Sequence, residues 1–546
     1  MRPLLVPVLL VAVAACGPAD RGSTPDFSGE RLLRDITILA SDSFLGRAPG
    51  SLGEERTVEF LEREFRALGL LPGNTDGTYI QDVPLVGITA NPAMALTVEG
   101  RGQLMPLRYR DQFVAWTRHV ADSVRLANSE LVFVGYAVQA PEFSWDDFKG
   151  VDLRGKTLVA LVNDPPLADT TQFGGRAMTY YGRWTYKFEK AAELGAAGML
   201  LIHETEPAGY PWAVVQGMGG EKFDLVTPDR NLGRATVEGW IHLDVARMLF
   251  EAAGQDFDAL KARAVTREFA PVPLGLRASV AIRNSLRTLD SRNVLAIVEG
   301  SDPVLKDEFV VYTAHWDHFG VGEAVDGDSI YNGALDNATG TAALLELARA
   351  FQGLREKPGR SILFLAVTAE EQGLLGSEYY ARNPIHPLTR TLANINIDGL
   401  NMDGPTRDIV VVGLGASDLD GYLREAAEEQ GRTVRPDPES EKGFYYRSDH
   451  FNFAKVGIPA LYTDVGVEFE GQPADYGLQK RQEYNTQRYH KPGDQVLDAW
   501  VMGGALQDIA LYFSVGFRVA QAAAFPQWSP GNEFRARREA MLQRAP

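Results

Sequence analysis

Short apolar runs alternate with amphipathic stretches through the second half of the chain. Runs at 309–313, 361–367, 393–397 and 458–463 are rich in β-branched and aromatic residues and predict buried strands. Apolar residues also recur at helical spacing over 341–351, 378–382 and 499–520. Strands that alternate with helices predict an α/β fold with a doubly wound, mostly parallel sheet.

The first half of the chain has a different pattern of apolar residues. Residues 30–72 show helical spacing in two stretches, separated by the turn-rich segment 46–51, GRAPGS. From about residue 124, short predicted strands at 131–134, 158–162 and 199–202 accompany a helix at 188–198, without a cluster of ligand-type residues. We predict that 124–275 is an insertion into one larger domain, formed by 30–123 and 276–525. A polar tail, 526–546, follows.

Length, charge and cysteine content exclude several classes of protein. A chain of 546 residues exceeds one hydrophobic core and predicts two or more domains. Its net charge of −18, without a basic stripe, argues against nucleic acid as a partner. Because Cys16 is its one cysteine, disulfides cannot hold the fold and an all-cysteine zinc site is impossible.

The first sixteen residues have the pattern of an export signal. Arg2 supplies a positive charge, and the apolar stretch 4–13 is too short to span a bilayer. The sequence VAAC at 13–16 is typical of a bacterial lipoprotein signal, so we predict lipidation of Cys16 and a tether over 17–29. The alternative is plain cleavage after small residues. The expected location is the periplasm or cell surface, with membrane attachment only through a lipid anchor.

Residue types that bind metals or move protons follow the predicted strands. They are His315 and Asp317 after the first run, Glu370 and Glu371 after the second, Asp398 after the third, Asp336 before a helix, and Tyr489 and His490 far down the chain. In open α/β sheets, ligands bind where strands end and helices begin. Clustered carboxylates repel unless cations neutralise them, and imidazole with carboxylate suits a divalent ion such as zinc.

These residues lie in short motifs with a recognisable order. The motifs are AHWDH (314–318), LDNATG (335–340), EEQGLLGS (370–377), NID (396–398), SDH (448–450) and YH (489–490). Over 30–123 and 276–520 the chain resembles zinc-dependent exopeptidases with two co-catalytic metals, which include bacterial leucyl aminopeptidases and glutamate carboxypeptidases. The insertion resembles the protease-associated domain through VGY (134–136), GVDLRGK (150–156) and residues 191–198.

The resemblance implies a role for each candidate residue. The implied metal ligands for two divalent ions, with zinc expected, are His315, Asp336, Glu371, Asp398 and His490, with Asp336 bridging the ions. His315 and Asp398 complete one site, while Glu371 and His490 complete the other. Glu370 is the implied general base, Asp317 orients the ring of His315, and Tyr489 donates a hydrogen bond to the oxyanion or substrate. The Asp336–Asn337 peptide bond is expected to be cis. The chain departs from the family pattern at Leu335 and at Gly399-Leu400, none of which is an implied ligand.

The implied activity is removal of N-terminal residues from peptides. A carboxypeptidase or dipeptidase of the same family stays open. Two further alternatives are a metal-free binding protein and a single-metal cyclotransferase relative, and the complete set of ligands with the base argues against both. Residue specificity, oligomeric state and the role of the insertion are not readable from the sequence.

Overall fold

The computed structural model describes residues 25–167, 169, 172–218 and 220–543. The predicted export signal, Cys16 and most of the predicted tether therefore lie outside the described residues. Within the described part of the chain, no helix is both long and apolar enough to cross a membrane.

Helices form throughout the described chain, and those predicted in its second half lie close to their predicted bounds. Helices occupy Gly29–Leu39, Leu52–Ala67, Trp184–Glu193, Thr205–Ala208, Trp212–Gly217, Leu243–Ala252, Phe257–Arg263, Thr339–Gln352, Leu375–Arg382, Leu419–Glu429, His450–Lys455, Tyr476–Gln487, Met502–Gln521 and Arg535–Gln543. The helix predicted at 188–198 forms earlier, at Trp184–Glu193, because Gly195 adopts a positive φ of 68° after its end.

Four parallel strands form the centre of the main sheet. They are β1 (Phe309–His315), β2 (Ser361–Val367), β3 (Thr391–Asn396) and β4 (Ala460–Asp464). β1 lies between β2 and β3, and β3 pairs with β4, all in parallel register. Antiparallel strands flank them, Val272–Val298 beside β2 and Asp408–Val411 beside β4. The predicted α/β fold with a mostly parallel centre is confirmed.

Helices cover both faces of this sheet, as the continuous apolar character of its strands requires. In β1, Val310 and Tyr312 face the larger core, which includes the helices Thr339–Gln352 and Met502–Gln521. Val311 faces the opposite side, where the helices Leu375–Arg382 and His450–Lys455 contribute Tyr380 and Phe453. Both faces are therefore buried, and only the ends of the strands are free to form a site.

A second sheet with its own core precedes the catalytic half of the chain. It contains Ala95–Gly100, Gln103–Arg108, Phe113–Trp116, Ser123–Phe133, Thr157–Leu161, Gly198–His203, Val237–His242 and the first part of Val272–Val298. The strands from 95 to 116 thus pair within this sheet, although the predicted insertion begins at 124. Ile80–Ala90 and Glu221–Leu225 pair with each other in the main sheet instead. The domain boundaries stay a prediction.

Two side chains of the predicted polar tail are buried, so part of this segment packs against the rest of the protein. Trp528 is 1% exposed and donates its indole N–H to the carbonyl of Gly457. Arg538 is equally buried and donates to the carbonyls of Leu388 and Thr391. The segment has few apolar residues, so its hydropathy pattern could not reveal that these large side chains fill gaps in the core.

Candidate active site

The ends of three neighbouring parallel strands place the candidate residues together. His315 is the last residue of β1, Asp398 follows β3, and Glu370 and Glu371 follow β2. Because β1 lies between the other two strands, its histidine is flanked by the carboxylates of both neighbours. These ligand-type residues therefore lie at one edge of the sheet.

Asp336 reaches the same place from the turn before the helix Thr339–Gln352. Gly333 begins that turn with a φ of 53°, and the Asp336–Asn337 bond is cis, as expected from the resemblance. The buried carboxylate of Asp494 accepts hydrogen bonds from the backbone N–H groups of Leu335 (3.1 Å) and Asp336 (3.0 Å). Asp494 therefore holds the backbone that presents Asp336.

The two carboxylate oxygens of Asp336 face two different sets of donors. His315 Nε2 lies 3.2 Å from Asp336 Oδ1 and 3.2 Å from Asp398 Oδ1. His490 Nε2 lies 3.3 Å from Asp336 Oδ2 and 3.3 Å from Glu371 Oε2. The arrangement is two histidine–carboxylate sets that share one aspartate.

These distances provide a test of whether the donors fit metal ions. Two atoms bound at about 2.0–2.1 Å to one tetrahedral zinc ion lie about 3.3 Å apart. The separations of 3.2–3.3 Å within each set match that value. Ligand atoms of His315, Asp336 and Glu371 also lie within 4.8 Å of one another. The separations therefore fit one divalent ion for each set, and Asp336 would supply one oxygen to each.

A buried chain of hydrogen bonds orients Asp398. Ser448 Oγ donates to Asp398 Oδ2 (2.6 Å), Asn396 Nδ2 donates to Ser448 Oγ (2.7 Å), and Thr313 Oγ1 donates to Asn396 Oδ1 (2.6 Å). Such support fixes the orientation of a ligand and commonly affects metal affinity. Ser448 is the first residue of the SDH motif at 448–450. Nothing local in the sequence indicates its contact with Asp398, which lies 50 residues away.

Asp317 supports His315 differently from the predicted manner. His315 Nδ1 lies 3.1 Å from the backbone carbonyl of Asp317, whereas the Asp317 carboxylate is 3.8 Å away. That carboxylate accepts the backbone N–H of Glu370 at 3.0 Å, and burial raises the pKa of Asp317 to about 6. Asp317 therefore links His315 to the segment that carries the two glutamates.

His318 is a further neighbour of the centre that sequence reasoning gave no role. Its ring is fully buried, and Nδ1 lies 2.5 Å from Glu371 Oε1, the oxygen that does not face His490. The ring packs against Gly333, where an added Cβ would come within 2.5 Å of it. His318, the residue directly after Asp317, thus orients Glu371. Only the folded structure reveals this contact.

Glu370 and Tyr489 face open space beside these sets. The Glu370 carboxylate accepts no hydrogen bond from another described residue. Burial raises the pKa of Glu370 well above its ordinary value, Asp398 and Asp449 act in the same direction, and His315 opposes them. The Tyr489 ring stacks on His490 with centroids 3.7 Å apart and is 43% exposed. The roles of base and hydrogen-bond donor stay predictions.

Two cavities meet at Glu370, Tyr489 and His490. The first, about 470 Å³, extends past Asp336 and Asp398. Its apolar lining includes Leu400, Met402, Val465, Phe469 and Trp500. The second, about 420 Å³, lies between Glu370–Leu375 and residues of the predicted insertion, including Arg183 and Trp184. Glu370 is therefore bordered by open space on two sides.

The segment that carries this centre is similar to known proteins. The model of peptidase family M28 matches residues 293–513. The mouse aminopeptidase NAALADL1 is 37% identical over 131 residues, which cover 23% of this chain and 16% of the relative. A protein named "Probable zinc metalloprotease" from Leptosphaeria maculans is 34% identical over 240 residues, covering 36% of this chain and 54% of the relative. The chain thus spans from a sixth to about half of the length of these curated relatives.

Among solved structures, the aminopeptidase of Aneurinibacillus sp. strain AM-1 is similar at 20% identity and a TM-score of 0.48, covering 90% of this chain and 94% of that one. The matched segment 293–513 contains β1 to β4, Asp336, both glutamates, Asp398 and His490. Over this segment, the chain is similar to peptidase family M28.

Proposed function

We propose that this protein is a metal-dependent exopeptidase that removes N-terminal residues from peptides. The observation that carries the proposal is the pair of histidine–carboxylate sets that share Asp336, beside a glutamate with no other partner. The name of the mouse relative, an aminopeptidase, supports the choice of the N-terminal end.

The donors suit two divalent cations, and zinc is the metal that we expect. Imidazole nitrogen and carboxylate oxygen are ordinary zinc ligands, and the fungal relative is named a zinc metalloprotease. When bound, two such cations supply Lewis-acid polarisation of a carbonyl oxygen and acidify water. The ligands of one set are His315, Asp398 and Asp336 Oδ1, and those of the other are His490, Glu371 and Asp336 Oδ2.

The protein's own side chains then move the protons. Glu370 takes the proton of the attacking water and delivers it to the leaving amine, because its carboxylate is free and borders both cavities. Burial raises the pKa of Glu370 above its ordinary value, which makes the carboxylate a stronger base. Tyr489, which borders the same cavities, donates a hydrogen bond to the developing oxyanion.

Replacement of Glu370 by glutamine tests this assignment. Glu370→Gln keeps the size of the side chain and both donor sets, so it should bind as much zinc as the wild type. It should lose about 100-fold or more in kcat, because general-base catalysis is worth about 10²–10⁴-fold. Asp336→Asn is the contrasting variant and should lose metal as well as rate. Near wild-type turnover by Glu370→Gln would assign the base elsewhere.

A carboxypeptidase or dipeptidase activity is the second candidate, because two arginines near the centre have no acidic partner. Arg183 and Arg447 both line the second cavity, and neither forms an ion pair with a described residue. Guanidinium groups bind carboxylates through paired hydrogen bonds. Aminoacyl chromogenic amides and N-blocked dipeptides should therefore be compared. If the second class is cleaved faster, and Arg447→Gln raises KM for it alone, the carboxyl end is the one that is read.

We further propose that the insertion is a protease-associated domain and that the mature chain is lipidated at Cys16 and exported to the periplasm or cell surface. The local motifs at 134–136 and 150–156 and the signal pattern at 1–16 support these two statements. Cys16→Ser should release the protein from membranes or block processing. Unchanged membrane retention would contradict the anchor.

A further inference from the structure

Arg47 is a fully buried arginine in the turn-rich segment between the first two helices. It is 1% exposed and forms no ion pair with any described residue. Gly46 and Arg47 both have positive φ, 65° and 54°, so the chain doubles back here. A Cβ at position 46 would lie 2.4 Å from the carbonyl of Tyr331, which explains the glycine. The turn drives the Arg47 side chain inward, towards the metal centre.

The guanidinium of Arg47 donates to four backbone carbonyls. Nε donates to Trp316 (2.8 Å), and Nη2 donates to Gly333 (2.8 Å). Nη1 donates to both Leu39 (2.7 Å) and Asn332 (2.6 Å). Its planar fork of five N–H groups is therefore almost fully used, which only arginine can achieve.

These carbonyls belong to the segments that present the ligands. Trp316 lies between His315 and Asp317, and Gly333 begins the turn that carries Asp336. The backbone carbonyl of Arg47 faces the N–H of His318 at 3.4 Å. One side chain thus ties the end of β1 to the Asp336 turn, two segments that meet at His315 and Asp336.

Arg47 also contributes charge. Burial lowers the pKa of Arg47 to about 10, while Asp317, Asp494, Asp336 and Glu371 act to raise it, so it is charged at neutral pH. The same centre contains many carboxylates in a small buried volume. A fixed positive charge behind them reduces their mutual repulsion.

We propose that Arg47 is a positioning residue of the metal centre: it fixes the spacing between His315 and Asp336 by clamping the carbonyls of Trp316 and Gly333. The proposal rests on the proposed metal site. It assigns a function to the GRAPGS segment, which carries no ligand of its own. Loss of the clamp lets the two ligand segments separate, so the predicted effect is on metal affinity before it is on fold.

Arg538 offers a matched control. It is also 1% exposed, donates to two backbone carbonyls (Leu388 and Thr391), and forms no ion pair with a described residue. Thr391 begins β3, at the opposite end of that strand from Asp398. Arg47→Met and Arg538→Met therefore each remove a buried guanidinium, but only the first does so beside the ligands.

The test is zinc affinity, measured by competition with a chromogenic chelator on the full-length protein, together with urea unfolding of the metal-free forms. Arg47→Met should bind zinc about 10–100-fold more weakly than the wild type, the range typical for residues that support ligands. Arg538→Met should keep wild-type affinity while losing stability. If Arg47→Met does not fold, Arg47→Lys, which keeps the charge but not the fork, should show the loss.

The outcomes separate this inference from the proposed function. Affinity of the folded Arg47 variant within about threefold of the wild type would overturn the role of Arg47. An equal loss in Arg538→Met would overturn it as well, because any buried arginine would then have the same effect. A wild-type protein that binds no divalent ion would contradict the metal centre itself.

Discussion

The acid sensitivity of this protein can be predicted from His450. The ring is fully buried between Tyr445 and Tyr462, with centroids 4.7 and 4.8 Å away, and the backbone of Tyr445 is the one group among the described residues that favours its protonated form. Burial lowers the pKa of His450 to about 3. The folded state therefore holds a neutral ring, whereas the unfolded state takes up a proton near pH 6.5.

The sign and size of the effect follow by linkage. Because the unfolded state binds more protons below pH 6.5, the free energy of unfolding falls as pH falls from about 6.5 towards 3. Between pH 7 and pH 5, His450 alone should lower the free energy of unfolding by about 2 kcal/mol. This follows because pH 5 lies about 1.5 units below the unfolded pKa, and each unit is worth about 1.36 kcal/mol. His450→Phe keeps the ring and removes the titration.

Urea unfolding of the zinc-loaded protein at pH 7 and pH 5 measures this difference. The loss of unfolding free energy on acidification should be about 2 kcal/mol smaller in His450→Phe than in the wild type. His386→Phe is the control and should change the loss less, because the His386 ring is only partly buried and lies 2.9 Å from the carbonyl of Gly73. An identical acid loss in His450→Phe and the wild type would refute the reasoning.

Three further variants test contacts that the structure revealed. Asp494→Ala leaves the backbone N–H groups of Leu335 and Asp336 without an acceptor. We expect the free energy of unfolding to fall by at least about 1 kcal/mol and zinc binding to weaken. Unchanged values in urea unfolding and chelator competition would contradict this. Ser448→Ala removes the hydrogen bond to Asp398 Oδ2 and should weaken zinc binding about tenfold or more in the same competition assay; an unchanged affinity would show that other groups hold Asp398. Trp528→Ala should lower the free energy of unfolding by about 3–5 kcal/mol in urea, and a loss below about 1 kcal/mol would contradict a packing role for this side chain.

The sequence predicted much of the catalytic half correctly because its signals are local. Continuous apolar runs can be buried on both faces only in a covered parallel sheet, and β1 and β2 begin at the residues where the runs begin. Ligand-type residues directly after such runs must lie at one edge of the sheet. His315, Glu371 and Asp398 could therefore be found without coordinates.

Tertiary structure decided what local signals cannot carry. The contacts of Arg47, His318, Ser448 and Asp494 join segments far apart in sequence, so no pattern of neighbours reveals them. The same holds for Trp528, whose burial depends on a gap left by other elements. Apolar periodicity indicates which face of an element is buried, because removing apolar surface from water is favourable whichever element covers it. The partners of a buried polar group depend on which chain segments packing brings within hydrogen-bond distance, and only the folded protein specifies that.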